Sequence, residues 1–109
     1  MSACFVYITA PDKATARDIG RALVDARLAA CANILDGMTS VYRWQGRVEE
    51  AGEAVLIAKT REALVPALTE KVRALHRYEC PCIVALPVVG GSQAFLDWID
   101  AETAETAEK

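Results

Sequence analysis

The fold is decided by residues 31–60, whose sequence is CANILDGMTSVYRWQGRVEEAGEAVLIAKT. Residues 40–44 and 53–60 are rich in the β-branched, aromatic and aliphatic side chains that favour strands. The charged stretch between them contains glycine and predicts a turn, near either Gly46 or Gly52. We therefore predict two long antiparallel strands joined in a hairpin.

The predicted hairpin is long for a chain of 109 residues. Its first apolar run stops at Asp36-Gly37, where we expect a bend. Its free edges would carry unpaired backbone donors and acceptors, and we expect its aromatic side chains Tyr42 and Trp44 to be exposed. Both features favour pairing with another chain, so we predict an oligomer with Tyr42 and Trp44 at the subunit interface.

A strand and a helix precede the hairpin. Residues 4–9 form a run of β-forming side chains that ends before Pro11. From Ala16 to Ala26 apolar residues recur at the helical spacing, which predicts an amphipathic helix with Asp12 as its N-cap. We expect this helix to end at about Leu28.

A helix and a strand follow the hairpin. Apolar residues at helical spacing predict a second amphipathic helix within residues 61–75, with Thr60 as its N-cap. Pro66 lies later than a first-turn proline ideally would, so the helix begins either near Leu64 or with a distorted turn. Residues 83–88 are apolar and predict a fourth strand.

These elements follow the order β-α-β-β-α-β, and a short helix over residues 92–99, capped by Ser92, closes the chain. The order is that of the ferredoxin-like fold of class α+β, in which two helices cover one face of a four-stranded antiparallel sheet. A single domain spans residues 1–109, with an acidic tail from about residue 100. Strands this apolar need cover on the second sheet face as well, which again favours oligomerisation.

Composition narrows the choice of partners. The chain has 12 Lys and Arg against 15 Asp and Glu, a net charge of -3, so we expect no nucleic-acid partner. No apolar run approaches the roughly 20 residues of a membrane helix, and the first residues lack the basic and apolar regions of a signal peptide. We therefore expect a cytoplasmic protein with no membrane partner, whose four cysteines are thiols.

One segment has the composition of a metal site. His76-Arg-Tyr-Glu-Cys80-Pro-Cys82 places an imidazole and two thiols close together, a set that suits copper or zinc. A further ligand would have to come from Cys4, Cys31 or a neighbouring subunit. The alternative is structural, with Cys80 and Cys82 as small apolar side chains and His76 at the C-terminal end of a helix.

Nothing in the sequence predicts catalysis. His76 is the single histidine, and no serine or cysteine stands beside it in a nucleophile elbow. The turn at Gly90-Gly91-Ser92 lacks the lysine and the glycine spacing of a phosphate-binding loop. We therefore predict a binding protein and not an enzyme.

The chain resembles the CutA family of divalent-cation tolerance proteins from about Phe5 to Ile99. The resemblance rests on six blocks in the family's order and spacing: Thr9-Ala10-Pro11-Asp12, Leu28-Ala29-Ala30-Cys31-Ala32-Asn33, Ser40-Val41-Tyr42-Arg43-Trp44-Gln45-Gly46, Glu53 with Lys59-Thr60, His76-Arg77-Tyr78-Glu79-Cys80-Pro81 and Phe95-Leu96-Asp97-Trp98-Ile99. It implies a ferredoxin-like fold similar to that of the PII signalling proteins, and a homotrimer whose hairpins pair between subunits. It also implies binding of divalent metal ions, copper first among them.

The resemblance extends to single residues. Cys31 and His76 match the family's cysteine and histidine, and a cleft between subunits is implied for Lys59, Tyr78 and Glu79. Four positions depart from residues that family members carry. Ile8 stands in place of a cysteine and Leu75 in place of a first histidine, while Arg77 replaces a proline and Cys82 an acid. A copper site of this chain would therefore keep His76 and use Cys80 and Cys82 in place of the missing ligands.

Two functions stay open at this point. The first is a trimeric metal-binding protein that buffers or senses copper, with His76, Cys80, Cys82 and Cys31 as candidate ligands. The second is a PII-like signalling or scaffold trimer that binds a small ligand, or a protein partner, in the cleft between subunits.

Overall fold

The computed structural model describes residues 2–104. Its elements occur in the predicted order: β1 (Ala3–Ala10), α1 (Lys13–Asp25), β2 (Cys31–Trp44), β3 (Arg47–Arg61), α2 (Val65–Leu75), β4 (Ile83–Pro87) and α3 (Gln93–Glu102). The strands form one antiparallel sheet in the order β2-β3-β1-β4. The prediction of a ferredoxin-like α+β fold is confirmed. Among the helices of residues 2–104, none is long and apolar enough to cross a membrane.

The β2–β3 hairpin turns at Gln45-Gly46. Both residues have positive φ, 50° and 79°, as a two-residue turn that matches the twist of its strands requires. Of the two predicted turn positions, Gly46 is therefore correct. Gly52 lies inside β3, where it pairs with Thr39.

The predicted bend at Asp36-Gly37 is a β-bulge. The pairing register shifts between Leu35 and Met38, and Gly37 has a φ of 80°. The Asp36 carboxylate accepts a hydrogen bond from the Gly37 N–H at 2.8 Å. Because the ladder resumes beyond the bulge, β2 bends and twists without ending.

The core lies between the sheet and the two helices α1 and α2. Alternate residues of the central strands face these helices and are fully buried, among them Val6, Ile8 and Leu56. Gly20 brings α1 close to the sheet, since a Cβ at this position would lie 3.2 Å from the Leu56 and Ala32 side chains. The predicted two-helix layer on one sheet face is confirmed.

The second sheet face is covered only in part. Ile99 of α3 packs on it against Ala3 and Ala30. Three apolar side chains of the strands on this face are at least half exposed: Val84 at 50%, Leu86 at 51% and Leu35 at 58%. The predicted need for further cover therefore remains within a single subunit.

Helix α1 ends at Asp25, earlier than the predicted Leu28. Arg27 adopts a left-handed φ of 60°, which places the Arg27 N–H on the Val24 carbonyl and the Leu28 N–H on the Leu23 carbonyl. This is a Schellman ending, which glycine usually provides. With arginine at that position, the sequence carries no stop signal.

The start of α2 corrects one predicted cap. Thr60 belongs to β3, and its buried hydroxyl donates a hydrogen bond to the Leu28 carbonyl at 2.7 Å, so it is not an N-cap. A 3-10 turn, Glu62–Leu64, precedes α2, and Pro66 lies in the first turn of the helix. The helix therefore begins next to Leu64, the first of the two predicted alternatives, and the 3-10 turn leads into it.

Helix α3 begins as predicted and ends later. The Phe95 N–H donates to the Ser92 hydroxyl, which confirms the cap. The helix continues past Ile99 to Glu102, and the buried Thr103 hydroxyl accepts a hydrogen bond from Arg61 Nε at 3.0 Å. The predicted acidic tail therefore begins inside α3, and its residues 105–109 lie outside the described part of the chain.

Replacement of Thr60 by valine tests the hydroxyl contact between β3 and the end of α1. Thr60→Val keeps the side-chain shape but leaves the Leu28 carbonyl without this donor, so we expect a loss of about 1–2 kcal/mol in the free energy of unfolding. Thr39→Val, at an exposed position of β2, is the matched control in chemical denaturation. Equal effects of the two changes would contradict the assignment.

The N-cap of α1 predicts an acid-sensitive contribution to stability. Hydrogen bonding from Thr15 holds the pKa of the Asp12 carboxyl below its ordinary value of 3.8, and Arg77 adds to this shift. A lowered folded-state pKa stabilises the protein above pH 3.8, and this stabilisation is lost as the pH falls further. At neutral pH, Asp12→Asn should therefore have a lower free energy of unfolding than the unmodified protein. In acid the two free energies should become equal. A difference that does not change with pH would refute this.

Candidate functional site

A cavity of about 540 Å³ lies between the hairpin and the segment that follows α2; we call it the hairpin cavity. Five of its lining residues belong to the hairpin: Ser40, Val41, Tyr42, Trp44 and Glu53. Four belong to the segment of residues 76–82, which we call the 76–82 segment: Tyr78, Glu79, Cys80 and Cys82. Thr9 of β1 completes the lining.

The Glu53 carboxylate is fixed by hydroxyl groups from two elements. Tyr78 Oη donates to Glu53 Oε2 at 2.8 Å, and Ser40 Oγ donates to Oε1 at 2.5 Å. Met38 is the direct cross-strand partner of Glu53, so Ser40 is its diagonal neighbour and lies within reach. Burial, and then the hydrogen bond to Glu53, raises the pKa of Tyr78. The phenol therefore keeps its proton and donates it in this hydrogen bond.

His76 connects the 76–82 segment to β1. His76 Nε2 lies 2.6 Å from the Thr9 carbonyl oxygen, and Nδ1 accepts a hydrogen bond from the Tyr78 N–H at 3.1 Å. A carbonyl only accepts, so Nε2 carries the proton and Nδ1 is the acceptor. Both ring nitrogens are thus engaged with backbone groups. His76 is a positioning residue in this arrangement, and the predicted ligand role would require one of these bonds to break.

Arg77 makes a second attachment, which the sequence analysis did not predict. One of its guanidinium nitrogens, Nη2, lies 2.8 Å from Thr15 Oγ1 and 3.5 Å from Asp12 Oδ2. The 76–82 segment is therefore anchored to the N-terminal turn of α1 as well as to β1. The arginine at a position where family members carry proline is the one sequence signal for this contact.

The four candidate metal ligands do not come together in one subunit. Cys80 and Cys82 line the hairpin cavity, and burial, followed by the nearby Glu53 charge, raises the pKa of the Cys82 thiol. Cys31 begins β2, about 30 Å along the strand from Ser40 at 3.3 Å per residue. Within residues 2–104, no three His, Cys, Asp or Glu side chains form a group that could hold a metal ion.

The cleft between subunits that the resemblance implies for Lys59, Tyr78 and Glu79 stays a prediction, and within one subunit Lys59 lies apart from the other two. Tyr78 and Glu79 line the hairpin cavity. Lys59 lies elsewhere, with its ammonium group 5.4 Å from the centre of the Phe5 ring and 5.1 Å from that of Phe95. These are cation–π distances, which explains why a lysine is accommodated among apolar residues at this end of the sheet.

The two aromatic residues assigned to the subunit interface also line the cavity. Tyr42 is 43% exposed and Trp44 46% exposed near the tip of the hairpin. Their predicted exposure is confirmed, and their interface role stays a prediction. Ser40 and Glu53 were not predicted as site residues, although a serine and a glutamate among strand-forming residues mark polar positions.

A family model for the CutA1 divalent ion tolerance protein matches residues 4–102. The divalent-cation tolerance protein CutA of Thermus thermophilus is 51% identical over 98 residues, which cover 90% of this chain and 95% of that protein. This chain belongs to the CutA divalent-cation tolerance family.

Solved CutA structures share the fold over nearly the whole chain. The T. thermophilus protein has a TM-score of 0.91 at 49% identity, with 94% of this chain and 99% of that chain covered. CutA1 from Oryza sativa has a TM-score of 0.94 at 42% identity, with 97% of each chain covered. Plant and animal CutA proteins are longer, and this chain spans 57% of the curated Oryza protein and 55% of the mouse protein.

The Tyr78–Glu53 contact predicts a measurable coupling between the 76–82 segment and the hairpin. Tyr78→Phe and Glu53→Gln should each lower the free energy of unfolding by about 1 kcal/mol, and the double variant should lose less than the sum, by about 0.5 kcal/mol or more. Tyr42→Phe is the control, because the Tyr42 hydroxyl makes no hydrogen bond to any described residue. Strict additivity in chemical denaturation would contradict the contact.

Proposed function

We propose that this protein is a homotrimer that binds copper through Cys80 and Cys82 and so buffers or senses the metal. The observation that carries the proposal is that both thiols line one cavity. The family description supports a role with divalent cations, this chain's thiols suit copper or zinc, and the family resemblance implies copper first among the metals. Sulfur ligands favour soft metal ions such as copper over magnesium or calcium.

The two cysteines fit copper better than His76 does. Each thiol must lose a proton before it binds a metal, but neither has to abandon a hydrogen bond that holds the chain together. Displacement of His76 would release the 76–82 segment from Thr9. We also propose a cytoplasmic location, where thiols remain reduced.

A trimer is supported by the surface of the subunit. The half-exposed apolar side chains of β4 and of the hairpin leave a large apolar area uncovered, and β2 and β4 are the two edges of the sheet. Pairing with other copies would cover both, and a homotrimer is the assembly that the family resemblance implies. A neighbouring subunit would then supply, or shield, the remaining coordination positions of a metal at Cys80 and Cys82.

A PII-like function is the second candidate. It is supported by the size of the hairpin cavity and by the hydrogen bonds that order Glu53 and Tyr78 within it. In this alternative the cavity binds a small ligand or contacts a protein partner, and the thiols are incidental.

Native mass spectrometry of the full chain with added copper tests the metal function. We expect one copper per subunit and a loss of affinity of at least about tenfold when Cys80 and Cys82 are both replaced by serine. Cys31→Ser is the matched control and should retain binding, because it lies at the other end of β2. Failure to bind copper, or an equal loss in the control, would contradict the proposal.

Native mass spectrometry and thermal unfolding test the trimer. The unmodified protein should have the mass of three subunits, and its melting midpoint should rise with protein concentration. Val84→Glu places a charge on the partly uncovered sheet face and should dissociate the assembly, whereas Val24→Glu on α1 should not. A monomer whose midpoint is independent of concentration would refute this part of the proposal.

A further inference from the structure

The charge of the hairpin cavity restricts what it can bind. In the part of the chain that the structure describes, two of its ten lining residues are acidic, Glu53 and Glu79, and none is Lys, Arg or His. Within the same subunit, the ammonium group of Lys59 lies near the Phe5 and Phe95 rings, outside this lining. A nucleotide or another anion would meet two carboxylates without a counter-charge, whereas a cation would be attracted.

The aromatic lining narrows the class of cation. Tyr42, Trp44 and Tyr78 all contribute to the cavity wall. The face of an aromatic ring attracts an organic cation, tryptophan most strongly, and desolvation strengthens this attraction. A cavity of about 540 Å³ is also within the size range of small-molecule sites and is larger than a bare metal ion needs.

Glu53 is already in place for such a ligand. Its two carboxylate oxygens each accept one hydroxyl hydrogen bond, from Tyr78 and from Ser40. Each oxygen has a second lone pair, so the carboxylate can still face a cation without losing these bonds. A charge held in position before binding avoids the ordering cost that a free side chain would add.

We propose that the hairpin cavity binds a small organic cation with a methylated ammonium group, which packs against Trp44 and Tyr42 and is neutralised by Glu53. The proposal rests on the second candidate function, a ligand cleft, and gives it a ligand class. Binding of this ligand does not require copper, because a fully methylated ammonium group has no lone pair and cannot be a metal ligand.

Choline and its neutral isostere 3,3-dimethyl-1-butanol, in which carbon replaces the nitrogen, test the charge requirement. The protein is titrated with each compound by NMR in the presence of EDTA, so that no metal contributes. We expect choline to bind at least about tenfold more tightly than the alcohol. Equal binding of the two compounds, or no binding of choline, overturns the inference.

Two variants locate the site. Trp44→Leu and Glu53→Gln should each weaken choline binding by about tenfold, with the oligomer mass of each variant checked first. Trp98→Leu is the matched control, since Trp98 is similarly exposed on α3 and does not line the cavity. An equal loss in this control overturns the inference.

The two proposals can fail separately. Choline binding without copper binding supports the inference and contradicts the metal function. Copper binding without choline binding supports the metal function and overturns the inference.

Discussion

The contacts inside the hairpin cavity depend on the register in which β2 and β3 pair. The turn at Gln45-Gly46 sets that register, and it places Ser40 diagonally across from Glu53. A slip by one residue would send one of these side chains to the opposite sheet face and remove the carboxylate from its hydroxyl donors. The bulge at Asp36-Gly37 lets the same strand bend, so that one long hairpin serves both the core and the cavity.

The 76–82 segment has no regular secondary structure beyond the end of α2, and side chains hold it instead. His76 binds the Thr9 carbonyl, Arg77 binds Thr15 and Tyr78 binds Glu53. These three attachments reach β1, α1 and β3, so the segment is fixed to three separate elements. Cys80 and Cys82 follow directly and are exposed at the cavity, free of any structural task in the described chain that a metal would have to disrupt.

The order of elements could be predicted because it depends on local periodicity, which alternates in the strands and follows 3.6 residues in the helices. The end of α1 could not, since Arg27 takes a conformation that usually belongs to glycine. The role of His76 depends on a carbonyl 67 residues away in the chain, and no local pattern reports such a contact. Similarly, the position of Lys59 near the Phe5 and Phe95 rings depends on how α3 packs on the sheet, which no local pattern reports.

X-ray absorption at the copper edge of the copper-loaded protein identifies the atoms that bind the metal. If the thiols of the 76–82 segment are the available ligands and His76 keeps the segment in place, the copper has sulfur neighbours. The spectrum then lacks the scattering pattern of an imidazole ring and changes when Cys80 and Cys82 are replaced. An imidazole ligand that disappears in His76→Ala, with no sulfur neighbour, would contradict this assignment of the ligands.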